Sequence, residues 1–420
     1  MKINNSYISN IIWLFIDKFF LLFGGLVVTV IVAKFLGPDL VGVISYGITL
    51  GGIALTISQW GGTHTIYNVA TRKPESAISL IKSTEKKRLV LYIFVWVFIS
   101  FWVVYTHGTN YQSLIIISMV LSSVFLSLDL YQYYNNANLR SKYNARSSMI
   151  SKSISMLIRI TMVYFEAEVW LFVLPYFIEA FLIYQLRKMS IEEKIFVKNS
   201  RYSDFYLKSG VSLVSSSILI YIYSKINEII LAEYLSFEDV GFYTIAFVLS
   251  SAWTFIPLSI GISLMTKPLK NKNNDSIDYA FPLLSMIVVS VPILFFVWLY
   301  SDFILDITFG QEYTKSSELL FILCCSTLLT SLGYVNNRLI TSFKGGGRYL
   351  LWKSIVSVFV SIIMSLFFIN KYGLIGASYS FLLIEFLNLT IFNYFFSKGS
   401  ILRIHSKIFI STKQIRFYVE

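Results

Sequence analysis

The segment IIWLFIDKFFLLFGGLVVTVIVA, residues 11–33, is apolar and long enough to cross a bilayer, which takes about 20 such residues in a helix. It nevertheless carries Asp17 and Lys18 side by side. A charge at membrane depth costs on the order of 2.5–3.5 kcal/mol even on lenient insertion scales. Adjacent residues on a helix point about 100° apart, so these two charges neutralise each other poorly. The first helix is therefore predicted to border a hydrated passage inside a helical bundle.

The composition extends the membrane prediction to the whole chain. Of its 420 residues, 56% are hydrophobic and only 14% are charged, whereas a soluble domain carries about 25% charged residues. The net charge of +12 would suggest a nucleic-acid partner for a soluble protein. In a membrane protein, Lys and Arg in the loops set the topology instead, and we expect no nucleic acid. The adjacent Cys324 and Cys325 and three scattered histidines predict neither a disulfide nor a metal site.

Twelve apolar segments have the length of a membrane span. The first six lie near 11–33, 41–62, 89–106, 113–134, 149–165 and 169–186, and the second six near 209–232, 241–263, 280–300, 319–335, 351–369 and 374–396. The connections predicted on one side of the membrane, together with the two ends of the chain, hold 27 Lys and Arg residues. The connections on the other side hold 3. This asymmetry predicts that both termini are cytoplasmic. The connections on the side away from the cytoplasm are short, so we expect no extracytoplasmic domain.

An internal repeat divides the spans into two sets of six. LGPDLVGVISYG, residues 36–47, aligns without gaps with LSFEDVGFYTIA, residues 235–246. Each segment lies at the turn after the first span of a half, and both halves start on the same side, so the repeat is parallel. We therefore predict a six-helix lobe at 1–200, a second at 201–396 and a basic cytoplasmic tail at 397–420.

These segments resemble the polysaccharide flippases of the multidrug/oligosaccharidyl-lipid/polysaccharide exporter superfamily, and the Wzx-type O-antigen translocases in particular. LGPDLVGVISYG is similar to the family's turn after the first helix. FGQEYTKSSELL, residues 309–320, resembles its outside segment before the tenth helix, and KYGLIGASYS, residues 371–380, resembles its entry into the twelfth. One departure is Asn227, where many relatives carry Asp, although Glu228 is adjacent.

The resemblance implies a MATE-like fold with a V-shaped pair of lobes that alternate access. It implies transport of an oligosaccharide linked to undecaprenyl diphosphate across the bacterial inner membrane, from the cytoplasmic to the periplasmic leaflet. Membrane lipids, the O-antigen polymerase and the chain-length regulator are then candidate partners. The resemblance implies no ATP hydrolysis, and the chain has no G-x-x-x-x-G-K-[ST] motif. We expect no cofactor and no enzymatic activity.

Basic residues within spans are candidates for binding an anionic diphosphate along a hydrated path. Arg159 in the fifth span is the strongest candidate, since the span places it near the middle of the bilayer. Lys225 in the seventh span and Lys18 in the first would provide sites at other depths. Lys152 and Lys353 lie near cytoplasmic span ends, where extension of the side chain to the membrane surface explains them better.

Acidic residues within spans are candidates for ion coupling: Glu385, Glu179, Asp17, Glu228 and Asp129. Two of them have competing structural interpretations. Glu179 lies at a depth similar to that of Arg159, so the two form a candidate ion pair. Glu228 lies three residues after Lys225 on one helix face, a spacing that favours a local pair. Glu385 has no evident partner in the sequence, which suits a proton carrier.

Three alternative functions remain open from the sequence. A multidrug or cation antiporter of the same fold would favour an acidic, aromatic cavity, against which the basic span residues weigh. A polymerase or glycosyltransferase would need sizeable extracytoplasmic loops with catalytic residues, and these loops are short. A peptidoglycan-precursor flippase shares the fold, but twelve spans without further C-terminal helices favour the O-antigen type.

Overall fold

The computed structural model describes residues 5–191, 200–270 and 276–408, and all regular structure in that part of the chain is helical. A helix satisfies its backbone hydrogen bonds within one segment, so it can lie in hydrocarbon, which offers no hydrogen-bond partners. The chain divides into two compact units, Met1–Ile222 and Tyr223–Glu420. The division falls inside one long helix, so this helix belongs to both units.

The first unit contains nine α-helices, counted over its described residues. They are α1 (Asn5–Ser58), α2 (Gly62–Ala70), α3 (Pro74–His107), α4 (Tyr111–Ser122), α5 (Val124–Leu128), α6 (Tyr131–Ala137), α7 (Ser141–Tyr164), α8 (Val173–Met189) and α9 (Ser200–Tyr234), and a 3-10 helix at Val169–Phe172 precedes α8. Within this unit α1 packs against α4 and α7, and α7 packs against α8.

The second unit starts within α9 and continues through eight further α-helices in the described residues. They are α10 (Phe237–Ala252), α11 (Phe255–Lys270), α12 (Ser276–Phe309), α13 (Ser317–Ser342), α14 (Gly346–Tyr372), α15 (Leu374–Leu389), α16 (Ile391–Tyr394) and α17 (Ser400–Ser406), with 3-10 helices at Gln311–Ser316 and Phe396–Lys398. Here α15 packs against α13 and α14. Buried side chains of α12 and α13 dominate one apolar core.

The predicted spans all fall on helices or on runs of consecutive helices. Nine helices of the described chain are long and apolar enough to cross a membrane, and there are up to ten when α10 and α11, bent by 42°, count as one span. The helix α1 is broken at Gly37 and covers two predicted spans. The predicted fifth span is α7, whose polar residues keep it out of the nine. The structure is therefore consistent with the predicted twelve-helix architecture.

The segments that carried the family resemblance lie where helices break. In α1 the break is Gly37, whose φ of 74° favours glycine, and Pro38 follows it. In the matching segment α9 ends at Tyr234, and Ser236 caps α10 by accepting a hydrogen bond from the Asp239 amide at 3.1 Å. The KYGLIGASYS segment breaks at Gly373, with φ of 61°. The repeat therefore corresponds to the same structural element in each unit.

The predicted fourth span is a run of three short helices, α4, α5 and α6. Between α5 and α6 the chain leaves helical geometry at Asp129, which frees backbone carbonyls inside the unit. The buried guanidinium of Arg88 donates to the carbonyls of Ser127, at 3.2 Å, and Leu128, at 3.1 Å. Arg88 is one of the 27 basic residues that the sequence assigned to connections. In the structure it is the hydrogen-bond donor that stabilises this break.

The short helix α17 packs against the rest of the second unit through Ile401 and Ile404, both of which are buried. On α17, Nε2 of His405 lies 2.8 Å from the amide nitrogen of Asn336, and Nδ1 of His405 lies 3.2 Å from the hydroxyl oxygen of Tyr394. Because an amide nitrogen donates, Nε2 accepts and the ring is neutral. Burial lowers the pKa of His405 to about 4.

This environment predicts that acid destabilises the second unit. The pKa of His405 is lower in the folded state than the ordinary 6.5, so the unfolded chain takes up the proton first and stability is lost as the pH falls from 6.5 towards 4. Thermal unfolding of the purified protein between pH 7.5 and 4.5 should show this loss, and His405→Asn should reduce it. The exposed His64 provides the control, because His64→Asn should retain the wild-type pH dependence. An unchanged pH dependence in His405→Asn would contradict the prediction.

Candidate functional site

A cluster of two cations and one carboxylate joins α7 to α8. Arg159 Nη2 lies 3.3 Å from Glu179 Oε2, and Lys152 Nζ lies 3.6 Å from Glu179 Oε1. The Arg159 guanidinium also lies 3.9 Å from the centre of the Tyr176 ring, in a cation–π contact, and 3.0 Å from the Ser155 hydroxyl. With all three groups ionised, this cationic cluster carries a net charge of +1.

The cationic cluster combines a predicted pair with a residue whose role the sequence did not reveal. The sequence named Arg159 and Glu179 as a candidate pair, and the structure brings them together. It did not include Lys152, which was interpreted as reaching the cytoplasmic surface. The helix α7 begins at Ser141, before the predicted start at 149, so its middle falls at Lys152 and Arg159 lies closer to its end. The spacing of seven between the two cations, which places them on one helix face, could have indicated the cluster.

Lys225 and Glu228 form a local ion pair on α9. The distance between Lys225 Nζ and Glu228 Oε1 is 2.5 Å, and Glu228 is buried while Lys225 is partly exposed. The i, i+3 spacing predicted this contact. Lys225, proposed as a cation for the substrate, therefore has a carboxylate partner of its own.

Asn227 is the centre of a neutral hydrogen-bond network. Its Oδ1 accepts from the hydroxyls of Ser365 and Ser380, each at 2.7 Å. Its Nδ2 donates to the Tyr243 hydroxyl at 3.3 Å. The amide thus links α9 to α10, α14 and α15 without any charge.

Glu385 lies inside the second unit among neutral donors. Only 5% of its surface is exposed, and its Oε1 accepts a short hydrogen bond from the Tyr223 hydroxyl. Tyr223 in turn accepts from the Asn388 amide at 2.7 Å. Lys353 is its one charged electrostatic neighbour among the described residues, but Lys353 Nζ is hydrogen-bonded to Asn393, at 2.8 Å, and to Asn337, at 3.3 Å. Within the described residues, no salt bridge to Glu385 is formed.

Asp129, by contrast, is matched by a dedicated cation. Its Oδ2 lies 2.5 Å from Arg187 Nη1, and both side chains are buried. Arg187 also donates to Gln132 at 3.0 Å and to the Ser148 hydroxyl at 2.9 Å. The sequence placed Arg187 in a cytoplasmic loop because the sixth apolar segment was predicted to end at residue 186. Its contacts show that it ties α8 to α7 and to the break in the fourth span.

Two sequence-predicted site residues lie where the structure gives backbone only. Asp17 and Lys18 belong to α1, and their side chains lie outside the described part of the chain. Their proposed roles therefore stay predictions. Among the described residues no group of three or more His, Cys, Asp or Glu side chains could hold a metal ion.

Solved structures of two transporters are similar to this fold. A lipid II flippase MurJ in an inward closed conformation superimposes with a TM-score of 0.74, covering 97% of this chain and 93% of that chain at 13% identity. An inward-facing MATE-family multidrug transporter of the MOP superfamily gives 0.61, covering 97% and 99% at 13% identity. These likenesses show that the chain shares the fold of these two proteins.

The sequence itself matches a family model over residues 31–318, described as "Polysaccharide biosynthesis protein". This match covers more than half of the chain, and the chain belongs to this family. A curated relative, the probable low-salt glycan biosynthesis flippase Agl15 of Haloferax volcanii, is 27% identical over 190 residues, which are 43% of this chain and 39% of that protein. The chain thus matches well under two thirds of the relative's length. The resemblance to polysaccharide flippases drawn from the sequence motifs is confirmed.

The Asp129–Arg187 pair predicts a strongly non-additive pair of substitutions. Removing one partner of a buried ion pair costs roughly 3–5 kcal/mol, because the other charge stays buried and unpaired, whereas replacing both costs much less. Asp129→Leu and Arg187→Met should each lower the free energy of unfolding by that amount, and the double variant should recover most of the loss. Lys188→Met, at a neighbouring and more exposed pair, is the control and should have a small effect. Additive losses in denaturant unfolding would contradict the prediction.

Proposed function

We propose that this chain is a flippase for lipid-linked oligosaccharides, which moves undecaprenyl-diphosphate-linked O-antigen units from the cytoplasmic to the periplasmic leaflet of the bacterial inner membrane. Membership of the polysaccharide biosynthesis family and the MOP-type fold support a transporter of lipid-linked glycans rather than an enzyme. The relative from Haloferax volcanii bears the name of a glycan flippase. The distribution of basic residues among the loops of the sequence supports cytoplasmic termini.

The observation that carries the proposal is the surplus positive charge of the cationic cluster. Glu179 neutralises only one of its two cations, so one positive charge is left for an anionic ligand. Lys152 keeps 33% of its side chain exposed and Arg159 16%, so both groups are accessible. A diphosphate linkage offers the oxygen acceptors that a guanidinium and an ammonium bind best. Lys225 is the weaker candidate, since Glu228 already neutralises it.

We further propose that transport is coupled to protons through Glu385. The other acidic candidates in the described chain have a cation within ion-pair distance: Arg187 for Asp129, Lys225 for Glu228, and two cations for Glu179. Protonating any of these carboxylates would leave its cation partner without a counter-charge. Glu385 is buried and hydrogen-bonded to a neutral hydroxyl, so its protonation would break no ion pair among the described residues. Ion coupling through Glu179, Glu228 or Asp129 is correspondingly less favoured.

A multidrug or cation antiporter is the second candidate function. The fold is shared with the MATE-family multidrug transporter described above. The buried carboxylate of Glu385 would suit export of a cation. The surplus positive charge of the cationic cluster disfavours it, since a cation would be repelled there.

Complementation tests the cationic cluster. In a host strain lacking the gene, we expect Arg159→Ala and Lys152→Ala each to reduce surface polysaccharide at least tenfold, because each loses a ligand for the diphosphate. Arg159→Lys should retain part of the activity, and Lys225→Ala should retain most of it. Glu179→Gln should remain active, since it raises the positive charge of the cluster. Membrane levels of each variant, measured by immunoblot, exclude failed insertion as the cause.

The alternatives give different results in the same strains. Full polysaccharide in every cluster variant would mean that these cations are structural and that the substrate path lies elsewhere. A deletion strain with intact polysaccharide but increased sensitivity to cationic dyes would favour the antiporter.

Proton coupling through Glu385 predicts a specific loss. In proteoliposomes with a fluorescent lipid-linked oligosaccharide, an imposed pH gradient should stimulate wild-type translocation. Glu385→Gln should lose that stimulation while keeping the gradient-independent rate, because the glutamine cannot take up a proton. Glu238→Gln, at an exposed position on α10, is the control and should behave as wild type. Stimulation that persists in Glu385→Gln would remove Glu385 from the coupling mechanism.

A further inference from the structure

The carboxylate of Glu385 ends a chain of hydrogen bonds that runs through three helices of the second unit. Ser357 Oγ on α14 lies 2.6 Å from Asn388 Oδ1 on α15. Asn388 Nδ2 lies 2.7 Å from the Tyr223 hydroxyl on α9, and that hydroxyl donates to Glu385 Oε1. Ser357, Asn388 and Glu385 are each at most 9% exposed, so these groups have little access to water as an alternative partner.

In this series of hydrogen bonds, each group donates to the next group in the direction of Glu385. An amide oxygen can only accept, so the Ser357 hydroxyl donates to it, and the amide nitrogen donates to the Tyr223 oxygen. The one proton of the Tyr223 hydroxyl is then left for the carboxylate. This arrangement stabilises Glu385 in its ionised form.

The same heavy atoms also satisfy the opposite order. When Glu385 is protonated at Oε1, it would donate to the Tyr223 oxygen, and the Tyr223 hydroxyl would then need another acceptor. A half-turn of the Asn388 amide supplies its oxygen to Tyr223 and directs its nitrogen to Ser357 Oγ. Ser357 Oγ lies 2.8 Å from the carbonyl oxygen of Lys353, which can accept the displaced hydroxyl proton. Every hydrogen bond of the chain is therefore kept in both orders.

We propose that Asn388 is a positioning residue whose amide turns over when Glu385 binds a proton, so that the chain from Ser357 to Glu385 reverses its direction. The proton comes from water and stays on the carboxyl oxygen; no covalent bond other than this O–H changes. Without this reversal, a carboxyl protonated at Oε1 would leave the Tyr223 hydroxyl without an acceptor. Thr330 is the second hydrogen-bond partner of Glu385, and a carboxyl protonated at Oε2 would keep the Tyr223 bond, in which case Asn388→Leu would not lower the titration midpoint. The inference rests on the proposed coupling role of Glu385 and names the groups that let a buried carboxylate change charge.

The other titratable groups that face this site have fixed partners. Tyr243 on α10 accepts from Asn227, and Lys353 on α14 is bound by Asn393 and Asn337. Neither Tyr243 nor Lys353 contributes a side-chain hydrogen bond to the series that runs from Ser357 to Glu385. The reversal therefore depends on Tyr223 and Asn388, and variants of these two residues should shift proton binding in opposite directions.

Infrared titration of the full chain in lipid nanodiscs tests the inference directly. The carboxylic acid band that is lost in Glu385→Gln reports protonation of Glu385. Tyr223→Phe removes the donor to the carboxylate, so the titration midpoint should rise by about one pH unit or more. Asn388→Leu removes the acceptor needed by the protonated state, so the midpoint should fall by about one pH unit. Tyr234→Phe, at an exposed position on the same helix, should leave the midpoint unchanged.

The double variant decides whether Asn388 acts through Tyr223. In Tyr223→Phe the hydroxyl is gone, so adding Asn388→Leu should cause no further shift. A midpoint that is unchanged or raised in Asn388→Leu, or additive shifts in the double variant, would overturn the reversal. A carboxylic acid band identical in wild type and Glu385→Gln would overturn it as well. If the shifts occur as expected while Glu385→Gln keeps gradient-driven transport, the reversal stands and the proposed coupling fails.

Discussion

Hydrocarbon supplies no hydrogen bonds, and the structure depends on that constraint more than on any single contact. Each polar group at membrane depth needs a partner from the protein itself. Where the fourth span leaves helical geometry, the guanidinium of Arg88 donates to the freed carbonyls of Ser127 and Leu128. Asp129, at the same break, is matched by Arg187. The break and its two arginines thus form one arrangement, in which irregular backbone is tolerated because charged donors are buried beside it.

Much of the architecture follows from one-dimensional properties of the sequence. Apolar runs of span length, alternating loop charge and the repeated turn at Gly37 and Ser236 predicted the helical frame, since each reflects a local property of the chain. Contacts between near neighbours were predictable for the same reason. The Lys225–Glu228 pair follows from helical spacing, and the Arg159–Glu179 pair from equal depth on consecutive spans.

The remaining features depend on packing between distant segments, which spacing does not encode. Arg187 was assigned to a loop because the sixth apolar segment was predicted to end at residue 186, yet its partner Asp129 lies 58 positions earlier. Tyr223 and Glu385 are separated by 162 positions, so Glu385 had no evident partner in the sequence. Lys152 was interpreted as reaching the surface because the predicted span began too late: the polar first turns of α7 do not resemble a span. In each case the missing information is which helix faces meet.

The two units share the repeat but distribute their buried charge differently, and this difference carries the functional argument. In the first unit, buried and half-buried acids are matched or outnumbered by cations, as at Glu179. In the second, Glu228 is also paired with a cation, but Glu385 is hydrogen-bonded by neutral groups, which can both donate and accept. Fixed positive charge suits binding of an anion, whereas neutral amphoteric partners suit a group that gains and loses a proton. A parallel repeat can therefore keep one fold in both halves while the side chains adapt one half to the substrate and the other to the driving ion.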